Sequence, residues 1–464
     1  MFHQISSISK NKLNQIIFCS IIFIGSIFNG SNSSKLIIIN FFSLFFFLIF
    51  ILLKKNNYKF IIYRFKNNKN LIIIFSLFIL FLLIQVIPIP NNILRIISLN
   101  SFNFYTNVNL ANFNIISLNN GFTFIELINY LNIFLIVILT DLIFFKKKHI
   151  TRYLFYLSLI GFFHAFAAVL LFLLGNPEFF LEQVVYYKNS ASGFFINRTN
   201  FSFFLVLTFL ITIQYIVICR TKSYFNNSSF NLFYTRIFLI FITIGIICSF
   251  SRLGNFYLLL IVLLYSIHAI KFQKKIINNL TIFLFVLILF DILIMGLFFG
   301  GDKLLARFNI FDEIIIKDPK ESLSNFTLSG DASLPLSRAN LIFLGLSFFK
   351  DYIFFGYGAG AFETVFLFSY NSLDNYYANH VHADFIELIG ELGIIGFFLI
   401  CLLFYGISKK IFVSFKSNEN KFNILSIAII LIFLINGFFD FSLNIPSNQY
   451  LFASLVTFSI KKFF

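Results

Sequence analysis

Tryptophan is absent from this chain of 464 residues, and charge is scarce: Asp, Glu, Lys and Arg together make up 12%. Soluble domains usually carry roughly twice that share. With 59% hydrophobic residues, 75 of them Phe, and a mean hydropathy of +0.89, the composition excludes an ordinary soluble protein. The lack of Trp leaves the interfacial aromatic role to 20 Tyr. Cysteine is sparse as well. Cys19, Cys219, Cys248 and Cys401 lie scattered in or beside apolar runs with neither metal nor disulfide spacing, so they read as small hydrophobes. Acidic residues are few, 19 against 35 basic, giving a net charge of +16. That surplus does not point to nucleic acid, because most of the Lys and Arg fall in short clusters between apolar runs. Such clusters mark cytoplasmic loops. There is no internal repeat of the kind that marks a transporter built from inverted halves.

What is present is a series of apolar runs near the length that crosses a bilayer. They predict about twelve spans, near 15–30, 36–53, 71–88, 123–145, 153–174, 199–219, 237–250, 256–270, 278–299, 386–407, 422–440 and 449–460. Every second loop is basic, which predicts cytoplasmic termini. The first run is followed by "SNSSK" and a second span, so it reads as a retained helix rather than a cleaved signal. The expected fold is an all-α integral membrane protein. Residues 1–299 form the first nine spans, 300–385 a long structured outer loop, and 386–464 the last three. Loops of that length are usually functional or disordered, and this one is not low-complexity. It passes from a polar part through the amphipathic "SRANLIFLGLSFFKDYIFF" and the glycine turn "GYGAGAF" to a pair of histidines.

The chemistry concentrates in "NHVHADFIELIGELGIIGFF", residues 379–398. Asp384, Glu387 and Glu391 stand at i, i+3 and i+7, which stacks them on one helical face. Like charges so placed repel, and carboxylates at membrane depth are costly. Solvation at a helix N-terminus would explain Asp384 but not Glu391, two turns in. His380 and His382 precede them in an H-x-H spacing. A zinc site would need a third ligand, and His3, His149, His164 and His268 lie elsewhere in the chain. A neutral imidazole acting as general base, oriented by a carboxylate, needs only the residues at hand. Arg198 in "INRTNF", Arg252 in "SFSRLGN", Arg307 and Arg338 in "LSRANL" are expected on the same outer side. Snorkelling would account for them singly, but guanidinium groups facing one compartment make a bidentate clamp for phosphate oxygens. Asp291 within an apolar run and Asp440 in "GFFDFSLNIPSNQ" complete the unusual polar positions.

These stretches, taken together, resemble the O-antigen ligase family of bacterial polytopic membrane glycosyltransferases, which includes polysaccharide polymerases. The family signature is a His, then Asn, Ser or Gln, nine residues and G-x-x-G. Here His382, Ala383, nine residues and Gly393 to Gly396 match it, with Ala383 as the departure. "LIQVIPIPNNIL" resembles the family's Q-x-x-P-L-P stretch and "GFFINRTNFSFFL" its G-x-F-x-N-R-N segment. "SFSRLGN" resembles the S-R-G turn, "FFGYGAGAF" the G-x-G loop and "DFSLNIPSNQYLF" the last outer loop. The resemblance covers about residues 80–455, with the signature region about 190–400.

It implies a metal-independent, cofactor-free transferase in the bacterial inner membrane with its site facing the periplasm. The donor would be a glycan on undecaprenyl pyrophosphate, and the acceptor a sugar hydroxyl of lipid A core or of a growing glycan. Membrane lipid, but no nucleic acid, would be a partner. Arg252 and Arg338, with Arg198, would bind the pyrophosphate. His382 would activate the hydroxyl with His380 and Asp384 beside it, and Glu387, Glu391 and Asp440 would support them. Ligase and repeat-unit polymerase are not separated by the sequence. A flippase or other transporter is the alternative of a different class.

Overall fold

The computed structural model describes residues 12–53, 57–108, 111–177, 188–220, 228–273, 282–286, 288, 289, 293, 338–369, 378–416 and 423–460. Its described part is almost wholly helical. Helices α1 (Lys12–Ile27) and α2 (Ser34–Leu52) are joined by a tight turn. Gly30 takes φ 61° there, and a Cβ on it would lie 2.7 Å from the Phe195 ring and 2.9 Å from Ile445. Only glycine meets both conditions. Then come α3 (Asn57–Asn67) and α4 (Lys69–Val86). A two-residue ladder pairs Ile89 with Asn114 and Pro90 with Phe113, and encloses α5 (Asn91–Ile97) and α6 (Leu99–Val108).

Helix α7 (Asn120–Ile143) starts where the Asn119 side chain accepts from the Phe122 amide, an ordinary N-cap. There follow α8 (Lys147–Leu173), α9 (Arg198–Arg220), α10 (Ser228–Cys248) and α11 (Arg252–Gln273). The later elements are α12 (Arg338–Asp351), α13 (Phe362–Ser369), α14 (Asp384–Lys416), α15 (Asn423–Phe439) and α16 (Pro446–Ile460). Among the described residues, six helices, α2, α4, α7, α8, α9 and α14, are long and apolar enough to cross a membrane, and α1, α10, α11 and α15 hold shorter apolar stretches. Helix α9 is buried over 89% of its apolar window, against 22–44% for the other five long helices. It is therefore the centre of the bundle, packed against α8, α10 and α16. The other five long helices turn apolar side chains such as Phe46, Leu80, Phe163 and Phe398 outward, as a lipid surround requires.

Eleven of the twelve expected spans coincide with these helices, most of them beginning two to six residues earlier than the apolar runs. Hydropathy reports where charge stops, whereas a helix starts at its cap. Helix α8 thus takes in the basic residues from Lys147 to Arg152, and α14 begins at Asp384, inside the segment expected to be loop. The span expected at 278–299 and its Asp291 lie largely or wholly outside the described residues, as do 300–337 with Arg307, and 370–377. The amphipathic stretch of the long loop is α12. With α13 and residues 378–381 it closes a small apolar core of Leu344, Phe348, Tyr357, Phe362, Phe366 and Val381.

The hairpin turns place two sets of connections at opposite ends of the bundle. One end holds an Arg64–Asp141 ion pair at 3.2 Å and the Lys410 ammonium on the Asn68 side chain. The other gathers residues 28–33, 86–108, 111–119, 188–197, 249–251, 352–361, 378–383 and 440–445.

Candidate functional site

The site is built on the first three turns of α14. The Ala383 carbonyl accepts from the Ile386 and Glu387 amides, and the Asp384 amide donates to the Asp440 carbonyl at 3.0 Å. Asp384 turns its carboxylate toward α15 and the loop after it. Its Oδ2 accepts from Asn436 Nδ2 at 2.8 Å and from the Leu443 amide at 3.3 Å. One turn on, Glu387 points back over the incoming chain. Its Oε1 lies 2.7 Å from His380 Nδ1 and accepts from Asn444 Nδ2 at 2.9 Å, while Oε2 accepts from the Val381 amide at 2.8 Å. A further turn on, Glu391 accepts from the amides of Gly360 and Phe362 at the start of α13. All three carboxylates are at most 6% exposed. Solvation at a helix end therefore accounts for none of them; directed donors do, as buried charge requires.

Below Glu391 the helix breaks. Gly393 has φ 61° and ψ −174°, and residues 354–358 cross the chain there. A Cβ on Gly356 would fall 2.1 Å from the Glu391 carbonyl oxygen, and one on Gly393 would fall 2.4 Å from that of Phe354. The Gly358 amide donates to the Glu391 carbonyl and the Ile394 amide to that of Ile353. Gln85, at the end of α4, ties the crossing down. Its Nε2 donates to the carbonyls of Phe355 at 2.7 Å and Glu391 at 3.0 Å. The glutamine of the Q-x-x-P stretch, the G-x-G loop and the first glycine of G-x-x-G, each weak alone, meet at one point. A continuous helix read through 386–407 misses this break, because a Gly in an apolar run is silent until something crosses it.

Both histidines pack on Phe441. His380 stacks on the ring at 4.7 Å and 21°, and His382 meets it edge-on at 4.6 Å and 82°. His382 takes φ 62°, a left-handed conformation that β-carbon-bearing residues adopt rarely. Burial alone would lower the pKa of His380. The charge and hydrogen bond of Glu387, with the nearby charges of Glu126 and Glu363, outweigh it and raise the pKa above its ordinary value.

Glu387 thus holds the imidazole of His380. Asp384, expected beside the histidines, is taken up by Asn436 and Leu443. One helical turn explains the exchange, since the residue that faces back along the incoming chain sits at 387, not at the helix start. Glu126, Asn436 and Asn444 were not expected at the site. For Glu126 the signal was available: a carboxylate in "FTFIELINYL" is as anomalous in an apolar run as Asp291. The two asparagines had no signal beyond the last outer loop.

The arginines share a position in the fold. Arg198, Arg252 and Arg338 are the first residues of α9, α11 and α12, and Arg198 and Arg252 are half-buried. The last outer loop seats on the first turn of α9. The single Ser442 hydroxyl proton is shared between Asn200 Oδ1, at 3.1 Å, and Asp440 Oδ2, and Asn448 Nδ2 donates to the Asn200 carbonyl. Gly254 brings α11 against α9, where its Cβ would lie 2.7 Å from Ser202 Oγ, and Tyr257 feels the charges of Asp440 and Asp384. Arg198 and Arg252 therefore stand at the end of the bundle that carries the histidines. Among the described residues, no three His, Cys, Asp or Glu side chains are grouped as a metal centre would need.

A carboxylate-held imidazole beside guanidinium-bearing helix starts, at one end of an apolar bundle, suits transfer to a hydroxyl from an anionic leaving group. Comparison with known proteins bears on this. No curated protein matches the chain. The sequence model described as "O-Antigen ligase" matches residues 237–401. That stretch holds Arg252, Arg338, both histidines and the three carboxylates of α14, while Gln85, Glu126, Arg198, Asp440 and Asn444 come to the site from outside it. Through residues 237–401, the chain is similar to the O-antigen ligase family.

Proposed function

We propose that this protein is a membrane glycosyltransferase. It moves a glycan from an undecaprenyl-pyrophosphate carrier to a sugar hydroxyl, with lipid A core as the acceptor. The family supports membrane glycan transfer or polymerisation. The single observation that carries the reading is the shared end of the bundle. The 2.7 Å His380–Glu387 contact lies there with the helix starts that bear Arg198 and Arg252. A polyanionic leaving group is stabilised by fixed guanidinium groups in a site of low dielectric. An attacking hydroxyl must lose its proton to a positioned base, and the H-x-H pair, His380 and His382, supplies one beside Asp384 and Glu387. The alternation of basic loops supports a periplasmic orientation for this end, in an inner membrane crossed about twelve times.

The test is reconstitution. The purified protein in liposomes, given lipid-linked glycan and lipid A core, is expected to consume the first and extend the second, with no added metal or nucleotide. Consumption without core, yielding longer lipid-linked chains, would reassign the protein as a repeat-unit polymerase. No consumption with either acceptor would end the transfer reading.

A further inference from the structure

Asn129, outside residues 237–401, is the hub of a polar cluster with no role so far. It is fully buried and shares one face of α7 with Phe122 and Glu126, at i, i+4 and i+7. Its Oδ1 accepts from the Tyr450 hydroxyl at 3.3 Å, which fixes the amide with its nitrogen turned the other way. That nitrogen gives one hydrogen to Glu126 Oε2 at 3.3 Å and the other to Gln449 Oε1 at 2.8 Å. A carboxylate from α7 and a carboxamide from α16 are thereby held side by side. Neither is saturated. No described residue bonds the second oxygen of Glu126 or Nε2 of Gln449, both side chains are half-buried, and neither atom is enclosed. A carboxylate two turns into an apolar helix is costly, and one long bond from an amide does not offset it. The pair faces the histidine end, since Glu126 and His380 feel each other's charge. The Glu126 stem lies along the G-x-G loop, where a Cβ on Gly360 would be 3.0 Å from Glu126 Cγ and 3.6 Å from Phe122 Cβ. Phe122, one turn nearer the start of α7, is 39% exposed.

We propose that Glu126 and Gln449 form the subsite for the acceptor sugar, and that it selects a neutral pyranose with hydroxyls on adjacent carbons. The proposal rests on the glycan-transfer reading and deepens it. A sugar hydroxyl both donates and accepts, whereas a carboxylate only accepts and an amide nitrogen only donates. One hydroxyl therefore donates to the open Glu126 oxygen, and the oxygen of its neighbour accepts from Gln449 Nε2. Phe122 offers an apolar surface to the C–H face of the ring. Asn129 touches no sugar; it is the positioning residue that sets the spacing of the other two. The carboxylate also decides against the other substrate group. It repels a phosphate, while the helix starts bearing Arg198 and Arg252 attract one. Charge thus sorts carrier and acceptor into different parts of the site.

The experiment measures KM and kcat for lipid A core, and Kd for lipid-linked glycan, in the reconstituted wild type, Glu126→Gln and Gln449→Glu. Both variants keep an oxygen for Asn129 Nδ2, so the buried hub survives. Glu126→Gln removes the acceptor of a charge-assisted bond, and KM for core is expected to rise about tenfold or more. Gln449→Glu removes the donor and sets two carboxylates together, with a rise of similar size. In both, kcat should fall by less, and Kd for lipid-linked glycan should stay near that of the wild type, a split that a merely structural role would not give. Core analogues each lacking one hydroxyl supply the second readout. At least one should raise KM about tenfold in wild type and little in Glu126→Gln, where its partner is already gone. Unchanged KM for core in both variants leaves the mouth to water and overturns the proposal. Loss of lipid-linked glycan binding in place of core affinity overturns it too, as does an analogue series that Glu126→Gln reads as the wild type does. All three leave the transfer reading standing. A wild type that consumes no lipid-linked glycan overturns both.

Discussion

Arg252 and Arg338 each occupy the first position of a helix, where the positive end of the backbone dipole already favours an anion. If each grips a phosphate with its planar fork, Lys cannot replace it, because an ammonium offers no bidentate pair. Arg252→Lys and Arg338→Lys are expected to weaken retention of lipid-linked glycan at least tenfold, measured by binding to the reconstituted protein. Full retention in both would remove the clamp. At His382 the backbone gives a separate prediction. With φ at 62°, glycine fits without strain, whereas a β-branched residue is a genuine outlier there. His382→Gly should therefore unfold at a higher temperature than His382→Val, by an amount reflecting roughly 1–2 kcal/mol. The pair separates what the backbone needs at 382 from what the imidazole does. The signature spacing, read along the chain, selects His382, while the fold sets Glu387 against its neighbour His380. Spacing reports a register, and it cannot report which of two nearby rings a carboxylate one turn downstream will reach.

Among the elements, the crossing of residues 354–358 over the break in α14 determines the shape of the site. It fixes the turn from which Gly360 and Phe362 offer their amides to Glu391. Gly356→Ala and Gly393→Ala each combine a left-handed φ with a backbone atom within 2.4 Å of the added carbon, so something must move. Each is expected to lower the thermal midpoint in detergent by several degrees and to reduce transfer. Gly121→Ala, whose Cβ would meet only Asn119 Oδ1 at 3.5 Å, should leave the midpoint nearly unchanged. Helix positions were legible in the sequence because long apolar runs are a strong, redundant signal. The G-x-G and G-x-x-G motifs were legible as motifs, but not as two halves of one contact. Nothing local in either sequence says that a glycine is kept for the backbone of the other.

For the whole molecule, the prediction is one of sidedness. Arg64 and Lys410, from two of the basic clusters, lie at the end opposite the histidines, so a reporter enzyme fused near residue 325 should be active in the periplasm. Cytoplasmic activity would place the arginines and histidines on the wrong side for a periplasmic acceptor. Composition made the membrane setting plain. It gave no hint that α9 would be enclosed by the others, because a buried apolar helix and a lipid-facing one are written in the same residues.

The Gln85 tie spans 270 residues to Phe355 and 306 to Glu391. A ribosome delivers the chain from its N-terminus, so α4 enters the bilayer with a carboxamide whose partners have not yet been made. A primary amide in hydrocarbon is costly until it is bonded. The early half of the bundle is therefore held short of its final packing until α14 arrives, and the glycan-handling end closes last. Chains that stall before α14 would carry an open seam at α4, marking them for the proteases that patrol the membrane.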